Sequence, residues 1–166
     1  MLKEALVAEY DHEMGTTRKL LERLPEAQLS WKPHDRSMSL GGLATHVANI
    51  PHWAGLILNE PFFDLASAPP NPEARTSRDD ILNDFDQSTM RARASLDKSD
   101  AEYAARWALK RAGHEMFSMP RIAAFRSFVL SHIIHHRGQL SVYLRLCDVP
   151  LPAIYGPTAD TKEPSL

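Results

Sequence analysis

The run between Pro120 and Pro150 constrains this chain more than any other stretch, because it holds no proline and repeats an apolar pattern throughout. Phe125, Val129, His132, His136, Leu140, Tyr143 and Cys147 recur at spacings of three and four. That period predicts an α-helix with one face turned toward partner helices, since residues three and four apart lie on the same side of a 3.6-residue turn. Pro120 suits the first helical position, and Pro150 and Pro152 prevent continuation past about Cys147. A helix of this length needs other helices to cover it.

Three further segments carry the same period. Residues 2–24 place Leu6, Tyr10, Glu13, Thr17, Leu20 and Leu24 on one stripe, ended by Pro25. Gly15 inside it marks a close approach by another helix or, less favoured, by a ligand. After an extended connector, 29–33, Ser37 and Ser39 are alternative N-caps for a helix with Leu43, His46, Ile50, Trp53 and Ile57 in line. Pro51 removes a hydrogen bond to the Val47 carbonyl and predicts a kink. Residues 61–72 contain four prolines and read as a loop. Ser77 then caps a third helix through Ile81, Phe85, Ser88, Ala92 and Leu96 to about Lys98, with Asp79 and Asp80 at its positive end. The acids Asp79, Asp80, Asp84 and Asp86 read as a solvated face rather than as ligands. From 99 to 119 the pattern weakens, and Trp107-Ala108-Leu109 with Glu115-Met116-Phe117 around Gly113 reads as a short hairpin or an extended cover. The expectation is an all-α fold, a four-helix bundle with long crossover connections, in a single domain over residues 1–166 whose end, 154–166, docks and then frays.

Composition narrows the function. A formal charge of −2, and a densest basic cluster, Arg106 to Arg111, interrupted by Trp107, Ala108 and Leu109, argue against a nucleic-acid partner. No apolar run approaches the ~20 residues that cross a bilayer, and the N-terminus lacks the features of a signal peptide. Cys147 is the lone cysteine and closes no internal disulfide. The expected setting is cytoplasmic, away from membranes.

The histidines carry the chemistry. His132 and His136 are four apart and occupy positions where apolar residues are expected, as does His46 on another segment. An imidazole in a core needs a partner for its ring nitrogens. A single one is usually a packing residue; three such placements point to a metal. Three neutral imidazoles, two from one helix and one from another, suit Zn²⁺, Ni²⁺ or Fe²⁺ and leave coordination positions open, as a reactive site requires. His135 projects about 100° away from His136, and His12 lies beside the stripe of the first helix as a boundary residue. His52 falls on another face of its helix than His46, and His114 reads as exposed. Cys147 stands about 16 Å along the helix from His136, too far to serve as nucleophile there.

Trp31-Lys32-Pro33, the run from Ser39 to His46, the run from Ser131 to Leu140, and Tyr143-Leu144-Arg145 together resemble the DinB/YfiT-like metalloenzyme superfamily. The similarity extends to Val149-Pro150-Leu151-Pro152 and Tyr155-Gly156-Pro157 near the end. The resemblance implies a bundle of DinB/YfiT type, often a homodimer, holding one divalent transition metal (nickel, zinc or iron) on three histidines. These correspond to His46, His132 and His136. It also implies that His135, Arg137, Gly138 and Gln139 belong to the motif without being ligands, with Gly138 allowing close helix approach and Arg137 holding a partner helix or a substrate carboxylate. His12, Trp53, Arg137 and Gln139 are the candidates for a substrate pocket or for support of the ligands. Characterised members include S-transferases using bacillithiol or mycothiol and a mycothiol-dependent maleylpyruvate isomerase, so the expected partners are a low-molecular-weight thiol and a small electrophile. The alternatives are a metal-dependent hydrolase, for which His12 or Glu13 would be the general base, and a non-catalytic, stress-associated metal-binding bundle.

Overall fold

The computed structural model describes residues 2–161; the expected fraying of 162–166 lies outside the described residues. Helix α1, Leu2–Leu21, packs against α4, Arg78–Ser95, and α7, His132–Leu146. Helix α2, Leu40–Asn49, packs against the same two, and α3, Trp53–Leu58, continues it toward α4 and α6, Arg121–Phe125, which the short α5, Asp100–Ala104, also contacts. Between them Leu6, Tyr10, Leu20, Leu43, Val47, Ile81, Phe85, Phe125, Ile133, Leu140 and Leu144 are buried and form one apolar core.

The local signals act where the sequence placed them. Ser39 is the N-cap of α2, its Oγ accepting from the Gly42 N–H at 3.0 Å, and Ser77 caps α4. Pro51 breaks α2 from α3 with a 3₁₀ turn, Ile50–His52, in which the Ile50 N–H donates to the carbonyls of His46 and Val47. The Val47 carbonyl that proline leaves without its regular donor is thereby satisfied. Gly41 is required for packing: a Cβ there would lie 2.9 Å from the Arg75 carbonyl and 3.1 Å from that of Leu29. Gly15 and Gly138, both expected to admit a close neighbour, face open space, where a Cβ would meet nothing within 4 Å.

The fold is mostly helical but not all-α. Strand β1, Phe62–Asp64, lies parallel to β2, Arg106–Arg111, which pairs antiparallel with β3, His114–Pro120. The hairpin is the one read around Gly113; β1 sits within the proline-rich stretch read as loop. Three residues flanked by prolines carry too little alternation to announce a strand. Asp64 ties the sheet together, its carboxylate accepting from the N–H groups of Ala112 at 2.9 Å and Gly113 at 2.7 Å. Those two residues have φ of 50° and 80°, the left-handed pair that a tight two-residue hairpin turn demands.

A second departure bears on function. Between α6 and α7 the chain passes through a π-helical segment, Arg126–Ser131. A wider π turn shifts the phase of everything after it, and such segments recur at functional sites. The buried line on the last helix therefore runs through Phe125, Val129, Ile133 and Arg137, each four residues from the last, and on to Leu140 and Leu144. The sequence stripe took a three-residue step from Val129 to His132 and put the histidines at its centre. They lie instead on its flank, half-buried, and Arg137 occupies the centre. Helix α7 ends where expected: Asp148 adopts φ 58° and the Val149 N–H reaches back to the Leu144 carbonyl at 3.0 Å.

Candidate metal centre

His46 reaches the site because the start of α2 is held on three sides. The Leu40 and Gly41 N–H groups donate to the carbonyls of Trp31 and Leu29 at 2.8 Å each. Thr45, buried, donates to the Gly41 carbonyl at 2.7 Å and accepts from the Arg75 N–H at 2.9 Å. A helix pinned this way presents its next residue in a fixed direction. His132 and His136 come from the first two turns of α7.

The three rings converge. Their centroids lie 5.1 Å (His46 and His132), 4.5 Å (His46 and His136) and 4.7 Å (His132 and His136) apart. The Nε2 atoms of His46 and His132 are 3.3 Å apart, and one nitrogen from each ring falls within 4.8 Å of the others. Nitrogens bound tetrahedrally to zinc at ~2.0–2.1 Å lie about 3.3 Å from one another. The donor set thus fits a divalent ion with modest closing of the third ring. Among the described residues no carboxylate or thiol joins the cluster, so protein donors leave coordination positions open.

Supporting bonds orient the rings. The Nδ1 of His136 pairs with Oε1 of Gln139 at 2.7 Å, and His132 bonds to the backbone of Phe128 one turn earlier. A hydrogen bond at the far nitrogen fixes the tautomer and leaves Nε2 as the donor to a metal. Burial holds the imidazoles neutral. His46 is pushed down to about 4, by burial first and then by the neighbouring His136 and His132. His132 is lowered by burial and His136, against the opposing effect of the Phe128 backbone bond, and His136 by burial, against the opposing effect of the Gln139 bond. Three neutral rings crowded together are ready for a cation and unfavourable for protons.

The chain matches the DinB family along residues 1–164. It belongs to the DinB family. It is similar to the uncharacterised protein YrdA of Bacillus subtilis (strain 168), at 24% identity over 152 residues, covering 91% of this chain and 86% of YrdA. Two solved structures share the fold: a DinB-like protein of Bacillus cereus, TM-score 0.68 at 22% identity over 92% of this chain and 97% of that one, and the DinB-like protein YjoA of Bacillus subtilis, TM-score 0.70 at 24% identity over 90% and 96%.

In this DinB chain the other residues named from the sequence are dispersed. Gln139 stands directly behind His136. Trp53 packs in an aromatic group with Phe63, 5.3 Å between centroids, and with Phe128, 6.1 Å and nearly parallel at 22°. Phe128 belongs to the π segment one turn before His132, so this group borders the histidines at one end, and Trp31 edge-on to Tyr143 at 5.7 Å lies beyond Gln139 at the other. His12 and His135 are exposed. Arg137 is buried and takes no part in the histidine cluster; it pairs with Glu13 at 2.6 Å. That pair occupies Glu13, one of the two general-base candidates of the hydrolase reading. The Cys147 thiol is pushed up by burial and by Asp148, which keeps it protonated and a poor nucleophile. Two surface depressions of about 130 and 280 Å³ along the seam of α2, α3 and α4 are lined by His52 and Arg91 but by none of the three clustered histidines. Sequence reasoning missed Tyr155 as a partner of Arg137 and Glu13, although a carboxylate on the apolar stripe of α1 was the signal that a buried cation must meet it.

Proposed function

We propose that this chain binds one divalent transition metal (nickel, zinc or iron) at His46, His132 and His136, and that it is a thiol S-transferase within a DinB-type four-helix bundle. The observation that carries the reading is the convergence of three neutral, half-buried imidazoles with no fourth donor among the described residues. An ion held there supplies Lewis acidity, which makes a nucleophile of a thiol at neutral pH. The chain's own part is to orient three Nε2 donors, with Gln139 and the Phe128 backbone fixing two of the rings, and to offer aromatic surface beside them at Trp53 and Phe128. The nucleophile then comes from a low-molecular-weight thiol, because Cys147 is protonated and remote, and the second substrate is a small electrophile. A hydrolase reading is weakened by the engagement of Glu13 with Arg137 and by the exposure of His12. A cytoplasmic location and a homodimer belong to the same proposal; no described helix is long and apolar enough to cross a membrane.

The first test is metal content by mass spectrometry on tag-free protein beside a His132→Ala/His136→Ala variant. About one equivalent in the parent, lost from the folded variant, supports the site. No metal in either after reconstitution with zinc, nickel and ferrous iron sinks it and leaves a packing role. Cobalt-substituted protein then separates catalysis from structure: added thiol shifts the visible spectrum of an open site and leaves a closed one unchanged. Absence of turnover with every thiol and electrophile tried, despite a filled site, would remove the transferase assignment.

A further inference from the structure

Among the described residues the most heavily buried charge belongs to the residue next to a clustered histidine. The Arg137 guanidinium, 1% exposed, donates through Nη2 to the Glu13 carboxylate at 2.6 Å, and through Nη1 to the Glu13 carbonyl at 3.1 Å and Thr17 Oγ1 at 3.2 Å. The remaining valence is met from outside the helices. Tyr155, on the segment after α7, donates its hydroxyl proton to Glu13, 2.8 Å from each carboxylate oxygen, and accepts from Arg137 Nη2 at 2.7 Å. Its ring lies under the guanidinium, 5.1 Å from centroid to Cζ. The segment is itself tied down: Asp160 pairs with Arg145 and accepts from the Leu151 N–H at 2.9 Å, and Thr158 Oγ1 donates to the Leu151 carbonyl at 3.0 Å.

Arg137 projects about 100° around α7 from His136. Anchoring it to α1 therefore fixes the rotation of α7 about its own axis, and that rotation sets where His132 and His136 point. We infer that residues 147–161 are a positioning element for the histidine centre, with the Tyr155 hydroxyl closing the Glu13–Arg137 pair so that α7 holds one rotation. The inference rests on the metal reading above for its consequence, though not for its geometry.

The test is Tyr155→Phe, which keeps the ring over the guanidinium and removes only the hydroxyl; Arg137→Lys, which keeps the charge and loses the fork, repeats the comparison should the first fail to fold. The expected result is a rise of about tenfold in the dissociation constant for cobalt, at the low end of the effect of groups behind metal ligands, with a shifted visible spectrum. Asp160→Asn, which loosens the same segment without touching Arg137, moves affinity and spectrum in the same direction, whereas Asp11→Asn, which breaks an exposed ion pair with Arg93 elsewhere on α1, leaves both unchanged. Unaltered affinity and spectrum in Tyr155→Phe overturn the inference. If the parent protein takes up no metal, the metal reading fails separately, and ring proton resonances of His132 and His136 in the metal-free protein decide: they move in Tyr155→Phe, or the inference is wrong.

Discussion

His46 has the strongest shift of the three imidazoles, and its sign gives a pH prediction. Its pKa falls to about 4 in the folded chain, against ~6.5 for an unperturbed histidine. The stability it contributes is therefore complete above pH ~6.5 and is lost as pH falls toward 4, because only the unfolded chain takes up the proton over that range. Metal-free protein should lose melting temperature between pH 6.5 and 4 more steeply than a His46→Asn variant, and parallel curves would contradict the shift. Gln139→Leu removes the acceptor at His136 Nδ1 and should weaken zinc binding by about 10–100-fold in a calorimetric titration. The buried pair has a different weight. Glu13→Ala leaves Arg137 buried and unpaired, which costs roughly 3–5 kcal/mol and should show in a urea melt. Loss of the exposed Asp11 partner of Arg93 costs below about 1 kcal/mol by the same measurement.

Among the elements, the helical glycines divide by what surrounds them. Gly15→Ala and Gly138→Ala add a methyl group into open space, so each should stabilise the protein by roughly 0.5–1 kcal/mol through helix propensity alone. Gly41→Ala drives a methyl against two carbonyl oxygens, and overpacking of that kind costs about 1–3 kcal/mol. Opposite signs in denaturant melts check the assignment. If Gly138→Ala instead destabilises, a neighbour from outside the chain covers that face of α7. At the sheet, Asp64 accepts from both residues of the hairpin turn and also from the Ala66 N–H at 2.9 Å. Asp64→Ala should speed hydrogen exchange at Ala112 and Gly113 while leaving α7 protected.

On the scale of the whole molecule, the histidine cluster joins helices 86 residues apart in sequence. An ion bound there links α2 to α7 and stabilises only the folded chain. At a free metal concentration one hundred times the dissociation constant that linkage amounts to about 2.7 kcal/mol, so a chelator should lower the melting temperature of metal-loaded protein and leave the His132→Ala/His136→Ala variant unaffected. The second tie across the molecule, from Glu13 through Arg137 to Tyr155, spans α1, α7 and the last described segment. The two ties meet at neighbouring residues of one helix, His136 and Arg137.

The amphipathic period, the serine caps and the prolines determined by themselves where the long helices lie, because these signals act within a few residues of chain. They also selected His46, His132 and His136, since an imidazole at a core spacing is conspicuous in sequence. The phase of the last helix was beyond them. Whether the step after Val129 is three residues or four depends on the π turn at 126–131, and the packing of Phe128 against Trp53 and Phe117 is settled only with α3 and β3 in place. Strand β1 was hidden for a similar reason: its hydrogen bonds come from β2, more than forty residues later. The partnership of Glu13, Arg137 and Tyr155 likewise needed three distant elements to meet. Local propensity depends on neighbours in sequence, and these features depend on neighbours in space.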